Sequence, residues 1–63
     1  MKLKVIRKNK TYCIVSIMLD RNTNKYAFVN LTSNHICSCR FNSIKEAILD
    51  LYNRNDVLTY IEI

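Results

Sequence analysis

The sequence predicts a small α+β domain in which one amphipathic helix packs on one face of an antiparallel β-sheet, in the order β-β-β-β-α-β. Two observations support this prediction. Runs rich in β-branched and aromatic residues, separated by polar turns, fill residues 2–41. After Ser43 the hydrophobic spacing changes from the period of a strand to that of a helix. Because one helix covers only one face of such a sheet, we expect the other face to be wet or covered by a partner.

The predicted strands differ in character. Residues 2–7 alternate lysine with apolar side chains, which suits a sheet edge. Residues 11–19, TYCIVSIML, are apolar on both sides and suit a central strand. The full set of predicted strands is residues 2–7, 11–19, 26–32, 35–41 and 57–63. The polar segment DRNTNK joins the second and third strands as a hairpin.

The helix is predicted over residues 43–54. Ser43 and Glu46 match the capping box S-x-x-E, in which each residue satisfies a backbone N–H at the start of a helix. The apolar residues that follow recur at helical spacing and form one stripe: Ile44, Ala47, Ile48, Leu51 and Tyr52. The chain contains no glycine, so Asn55 is expected to take the left-handed position after the helix.

Length and composition predict one cytoplasmic domain spanning residues 1–63. A chain of 63 residues buries only about 60% of its unfolded surface, so a partner chain or a homodimer is a reasonable expectation. No segment has the roughly 20 apolar residues of a membrane span, and no signal peptide follows the N-terminal lysines. Three cysteines, an odd number, argue against a secreted disulfide framework. The abundance of Lys, Asn, Ile and Tyr suggests an AT-rich coding sequence, as in low-GC bacteria and their phages.

The segment HICSCRF places His35, Cys37 and Cys39 on one side of the predicted fourth strand. Sulfurs two residues apart on a strand lie about 6–7 Å from each other, whereas two zinc-bound sulfurs lie about 3.8 Å apart. A disulfide between these two cysteines is likewise sterically poor on an extended strand. The prediction is therefore that Cys37, Cys39 and Phe41 pack beneath the helix, with Arg40 on the opposite face, in preference to a metal or redox site.

No catalytic motif is present. The sequence has no nucleophile elbow, no zinc-protease motif and no phosphate-binding loop, which a chain without glycine does not provide. Its one histidine, His35, has no partner in sequence that would orient it as a base. We therefore expect a protein that is not an enzyme and that uses neither a cofactor nor a metal.

Basic and aromatic residues are the candidate binding residues. Five cations and no acid lie within residues 1–10 of a chain with net charge +5. The candidates are Lys2, Lys4, Arg7, Lys8, Lys10, Tyr12, Arg21, Lys25, Tyr26 and Arg40. Such a set attracts phosphate, and its aromatic rings offer stacking faces for bases. The alternative is a solubilising surface, and no recognition helix is evident because the single helix also carries acids.

Residues 12–54 resemble the N-terminal module of HicB-type antitoxins. The matching pieces are TYCIVSIMLD, KYAFVNL and SIKEAILDLY, in which Glu46 and Ala47 stand near the start of the helix. The family's Pro-Asp-Leu-Pro-Gly-like segment is absent, since NLTSNHIC stands in its place. The resemblance implies a hairpin, a third strand and a capped helix, and it carries over no site residue.

These features predict a binding function. The first hypothesis is a small phage- or mobile-element-encoded protein that docks on a larger host or defence protein and modulates or inhibits it. The alternative hypothesis is a nucleic-acid-binding protein that uses the N-terminal basic patch. A homodimer is compatible with both hypotheses.

Overall fold

A computed structural model describes all residues, 1–63, and shows five strands and one helix. The elements are β1 (Lys2–Arg7), β2 (Tyr12–Asp20), β3 (Lys25–Asn30), β4 (His35–Ile36), α1 (Ile44–Tyr52) and β5 (Val57–Glu62). The predicted α+β class and the β-β-β-β-α-β order are confirmed. The helix is too short and too polar to cross a lipid bilayer.

All strand pairs are antiparallel, and the sheet order is β4-β3-β2-β1-β5. After the helix the chain returns to the far edge, where β5 pairs with β1. The prediction of β1 as an edge strand is therefore wrong, because pairing with β5 encloses it. Its lysines do not protect an edge; they lie within a sheet face.

The core lies between the sheet and α1. Leu3 and Val5 of β1 pack with Ala47 and Leu51 of the helix, and all four side chains are buried. Ala47 is fully buried, and its small side chain lets the helix backbone approach the sheet. The remaining buried members of this cluster are Cys13, Val15, Ile17, Phe28 and Val57. We call the sheet surface that carries this cluster the helix face.

Side-chain caps define the start of α1. Ser43 Oγ accepts a hydrogen bond from the Glu46 N–H at 3.1 Å, as the capping box predicts. The Glu46 carboxylate accepts from the Asn42 N–H at 2.9 Å, one residue earlier than in the standard box. The helix ends at Tyr52, before the predicted residue 54, and Asn55 does not take a left-handed conformation.

Left-handed backbone occurs at three turn residues instead. These are Lys10, Asn24 and Asn34, with φ of 70°, 58° and 56°. Asparagine thus replaces glycine in two of the turns, because its side chain tolerates positive φ better than most. In the β1–β2 turn the lysine takes that role, while the neighbouring Asn9 accepts the Thr11 N–H with its side chain.

The predicted strand 35–41 is wrong beyond Ile36. The chain bends at Ser38 and resumes sheet pairing only where Phe41 bridges to Tyr26. The Arg40 guanidinium replaces the missing strand partner, because its Nη1 donates to the carbonyls of Cys37 at 2.6 Å and Cys39 at 2.9 Å. As a result Cys39 is exposed, not buried beneath the helix as predicted. Cys37 and Phe41 do pack against the core cluster.

Candidate binding surfaces

The sheet surface opposite the helix has no covering element. Strand residues alternate between faces, so the neighbours of the core residues point away from the helix. We call this surface the open face. Its apolar members are Ile6, Tyr12, Ile14, Met18, Ala27, Val29, Ile36, Ile61 and Ile63, and its polar members are Lys2, Lys4, Ser16, Asp20, Lys25 and Thr59.

The strand register arranges the open face in rows. One row crosses all five strands, from Ile36 through Val29, Ser16 and Lys2 to Ile63 at the opposite edge. The surface is depressed at Ser16 in the middle of this row, because the serine side chain is small and only 8% exposed. The next row joins Ile14, Lys4 and Ile61, and a third joins Tyr12, Ile6 and Thr59. The open face is thus continuous from edge to edge.

Large apolar side chains on the open face are in contact with water. Ile36 is 62% exposed, Met18 52% and Ile61 52%. Contiguous exposed apolar groups on a small domain are typical of an interaction site, whereas single exposed ones are ordinary. Beside β4, the side chains of Met18, Val29 and Ile36 border a shallow concavity of about 340 Å³.

The charge of the open face is positive. Lys4 Nζ lies 4.6 Å from the centroid of the Tyr12 ring, which holds the ammonium over an aromatic surface. Lys2 stands beside it in the neighbouring row. At the other end, Asp20 is the one acid of the face, and Arg40 pairs with it at 2.8 Å. The only carboxylate on this surface is therefore already neutralised.

The structure divides the candidate binding residues into separate groups. Lys2, Lys4 and Tyr12 lie on the open face, and Lys8 and Lys10 lie in the β1–β2 turn at the Tyr12 end. These five residues form one basic surface around β1.

The other candidates lie elsewhere. Arg21 and Lys25 flank the β2–β3 turn, at the far end of a strand roughly 26 Å long. Arg40 lies at that end too, in its pair with Asp20. Arg7 and Tyr26 are on the helix face, where Tyr26 packs against the core. The residues do not form a single patch.

A second concave site lies on the helix face, past the end of α1. This cleft measures about 250 Å³, and Arg7, Arg54, His35 and Asp56 contribute its charged and titratable groups. Its floor is apolar and includes Phe28, Leu51 and Val57. We call it the cationic cleft. Sequence reasoning did not identify it, because Arg54 lies far along the chain from the β1 and β4 residues that it joins.

The two arginines of the cationic cleft are held by different contacts. Arg7 Nη2 donates to Cys13 Sγ at 3.3 Å, and its Nε lies 4.0 Å from the Asp56 carboxylate. Arg54 Cζ lies 5.2 Å from the centroid of the Phe28 ring. Arg54 also donates through Nε and Nη2 to one oxygen of Asp50, at 3.1 and 3.0 Å. Both guanidinium groups therefore have fixed positions beside the cleft.

Cys37 lines the cationic cleft, and Cys39 lies next to it in solvent. The backbone N–H of Cys39 and the Arg54 side chain lie beside Cys37 and favour its thiolate, so the pKa of the Cys37 thiol is lowered. The pKa of Cys39 is raised by the neighbouring Cys37. No group of three or more His, Cys, Asp or Glu side chains is placed to hold a metal ion.

The fold and these surfaces define a small α+β protein with one helix-covered and one open sheet face. No protein-family model matches the chain, and no curated protein or solved structure is significantly similar to it. The resemblance to the HicB-type module stays a prediction.

The Asp20–Arg40 pair links the open face to the loop that carries both cysteines. The Arg40 hydrogen bond, with help from the Asn22 N–H, holds the pKa of the Asp20 carboxyl below its ordinary value of 3.8. A carboxyl whose pKa is lowered by folding stabilises the fold above its ordinary pKa. That stabilisation is lost as the pH falls through the lowered, folded-state pKa.

Asp20→Asn should therefore flatten the acid dependence of stability. The free energy of unfolding of the wild type and of Asp20→Asn should be measured with urea from neutral pH to below 3.8. The two free energies should differ most at neutral pH, and the difference should shrink in acid. Arg40→Gln should also flatten the acid dependence, because it removes the partner that lowers the pKa of Asp20, and it should add a loss of stability at every pH because the carbonyls of Cys37 and Cys39 lose their donor. An Asp20→Asn protein with the acid dependence of the wild type would contradict this assignment.

Proposed function

We propose that the protein is a non-catalytic binding protein that docks its open face on a larger protein and modulates that protein. The observation that supports this proposal is the uncovered sheet face, which carries exposed apolar side chains toward both edges and the lysines of β1 between them. A small domain that leaves such a face in water gains stability when a partner covers it.

The charges of the open face favour an acidic partner. Lys2 and Lys4 have no carboxylate beside them, and Asp20 is paired with Arg40. A second copy of the chain would bring the same lysines without a free acid to meet them, and unpaired like charges oppose docking. A partner with an apolar centre and acidic side chains complements both features. A heteromeric partner is therefore favoured over a homodimer.

The size of the open face suits such a complex. The strands contain two to nine residues, and at about 3.3 Å per residue and about 4.8 Å spacing they give a face of roughly 450 Å². Each partner in a standard protein–protein interface contributes about 800 Å² of accessible surface. The open face therefore supplies a little more than half of that area, and the rim of the domain around it would supply the rest.

The composition of the sequence indicates the kind of organism that encodes the protein. The Lys-, Asn- and Ile-rich composition supports an origin in a low-GC bacterium or its mobile elements. On that basis we propose a host or defence protein as the partner and inhibition as the outcome.

Nucleic-acid binding is the second candidate. It is favoured by one observation: Lys4 lies over the ring of the exposed Tyr12, with Lys8 and Lys10 in the adjoining turn and Lys2 further along β1. Lysines that neutralise phosphates and a ring that stacks on a base are the components of a single-strand binding surface. The apolar rows beside this group are not explained by nucleic acid, so this candidate ranks second.

A partner captured from the native host should be lost when the open face is altered. Ile61→Asn should weaken binding about tenfold or more if the residue is central to the contact. The matched control is Leu49→Asn, because Leu49 is 54% exposed against 52% for Ile61 and lies on the helix. Affinity should be measured with nuclease present. Equal loss in both variants, or no loss in either, would contradict the proposal.

Charge reversal and light scattering distinguish an acidic protein partner from a second copy of the chain. Lys4→Glu should weaken binding to an acidic protein partner, whereas Lys45→Glu on the helix should leave that affinity unchanged. Light scattering of the free protein should report a monomer at micromolar concentration. A stable dimer that Ile61→Asn dissociates would replace the heteromeric partner with a second copy of the chain.

The nucleic-acid candidate makes a different prediction. Affinity for a labelled single-stranded oligonucleotide should fall steeply with salt, because each neutralised phosphate releases a counterion. Lys10→Glu should weaken that binding and reduce the salt slope, whereas Lys45→Glu should do neither. Binding that is insensitive to salt and to Lys10→Glu would remove this candidate.

A further inference from the structure

We infer that Cys37 and Cys39 form a reactive thiol pair at the mouth of the cationic cleft. In this pair Cys37 exchanges with a small anionic disulfide, and Cys39 then closes an intramolecular disulfide. The site lies on the helix face, opposite the open face, so it does not rest on the proposed function.

The loop geometry brings the two cysteines together. The chain bends at Ser38, and one nitrogen of Arg40 donates to the carbonyls on either side, those of Cys37 and Cys39. Both carbonyl oxygens therefore lie within 2.9 Å of a single atom. On a straight strand, alternate residues stand about 6–7 Å apart, close to the upper limit of about 6.8 Å for the Cα atoms of a disulfide. The bend therefore shortens the segment relative to the extended strand to which the steric objection applies.

Both ends of this loop are fixed. The Cys37 N–H donates to the Phe28 carbonyl at 3.0 Å, and Phe41 exchanges two backbone hydrogen bonds with Tyr26. The Arg40 side chain is itself held by Asp20. The two cysteines therefore lie on an anchored loop, and this favours a disulfide between Cys37 and Cys39 over exchange with thiols in solution.

The surroundings activate one cysteine of the pair. Cys37 is half-buried, and the backbone N–H of Cys39 and the Arg54 side chain lie beside it. These contacts stabilise the thiolate, which is the nucleophile in disulfide exchange. Cys39 is exposed and adjacent, the arrangement of a resolving cysteine. Cys13 is buried and lies outside this loop, so it serves as an internal unreactive thiol.

The charges around the pair select the co-reactant. Arg54 and Asp50 stand on the helix side, and Arg7, His35 and Asp56 stand around the cleft. Asp50 is paired with Arg54, and the Asp56 side chain is 70% exposed and 4.0 Å from Arg7. A guanidinium group has five N–H donors, and the bonds to Cys13 and Asp50 use only some of them, so both arginines can bind the carboxylates of a small disulfide in this cleft of about 250 Å³.

The proposed chemistry has two steps. The Cys37 thiolate attacks one sulfur of the external disulfide, forms a mixed disulfide and releases one external thiolate. The Cys39 thiol then loses its proton to solvent and attacks the Cys37 sulfur, which releases the second external thiolate. Overall the two cysteines lose two electrons and two protons, and the external disulfide is reduced to two thiols.

Oxidised glutathione is the probe for the test. The reduced full chain should lose the mass of two hydrogens, and peptide mapping should place the bridge between residues 37 and 39 while Cys13 remains a free thiol. Cys39→Ser should instead accumulate one glutathionyl group on Cys37. Cys37→Ser should react several-fold more slowly at Cys39. Circular dichroism of each variant checks that it is folded.

A second measurement tests the role of Arg54. Iodoacetamide should alkylate Cys37 several-fold more slowly in Arg54→Gln at neutral pH, and the pH–rate profile should move to higher pH. The matched control is Arg21→Gln, which removes an exposed guanidinium in the β2–β3 turn. Mixed disulfides on both cysteines without an internal bridge would overturn the proposal. It would also be overturned if Cys37 and Cys39 reacted as fast in urea as in the native protein.

Discussion

The packing of one short helix on a five-stranded sheet is the constraint on which the rest of this structure depends. A helix of nine residues is only about 14 Å long, and it covers part of one face. Leu3, Val5 and Ala47 close the core on that side. The chain has no second helix, so the other face remains in water although Ile36 and Ile61 lie on it. The binding proposal follows from this imbalance.

The return of β5 to the far edge of the sheet determines what each face carries. Its pairing with β1 encloses that strand and brings Lys2 and Lys4 into the open face beside Ile61 and Ile63. The same crossover leaves the end of the helix next to the β4 loop, where the cationic cleft forms. The two candidate surfaces therefore have separate chemistry: apolar and basic on one face, guanidinium and thiol groups on the other.

Local signals in the sequence predict the local structure well. The Ser43–Glu46 spacing and the apolar stripe identify α1, whereas the asparagine expected to be left-handed, Asn55, is not, and Asn24 and Asn34 are left-handed instead. Non-local contacts account for the failures. The position of β1 depends on β5, fifty residues later, and the loss of strand after Ile36 depends on a guanidinium held by Asp20. No spacing rule reports such contacts, which is why the exposure of Cys39 and the cationic cleft were missed.

The open face is tested most directly by methyl NMR of the dilute protein with a soluble paramagnetic agent. If the open face is in water, the agent should strongly relax the methyl groups of Ile36, Ile61 and Met18, while those of Leu3, Val15 and Leu51 should be protected. Ile61→Asn should leave the protected set unchanged. Equal protection of both sets at every concentration would contradict the account, because a covered open face would not be available to a partner.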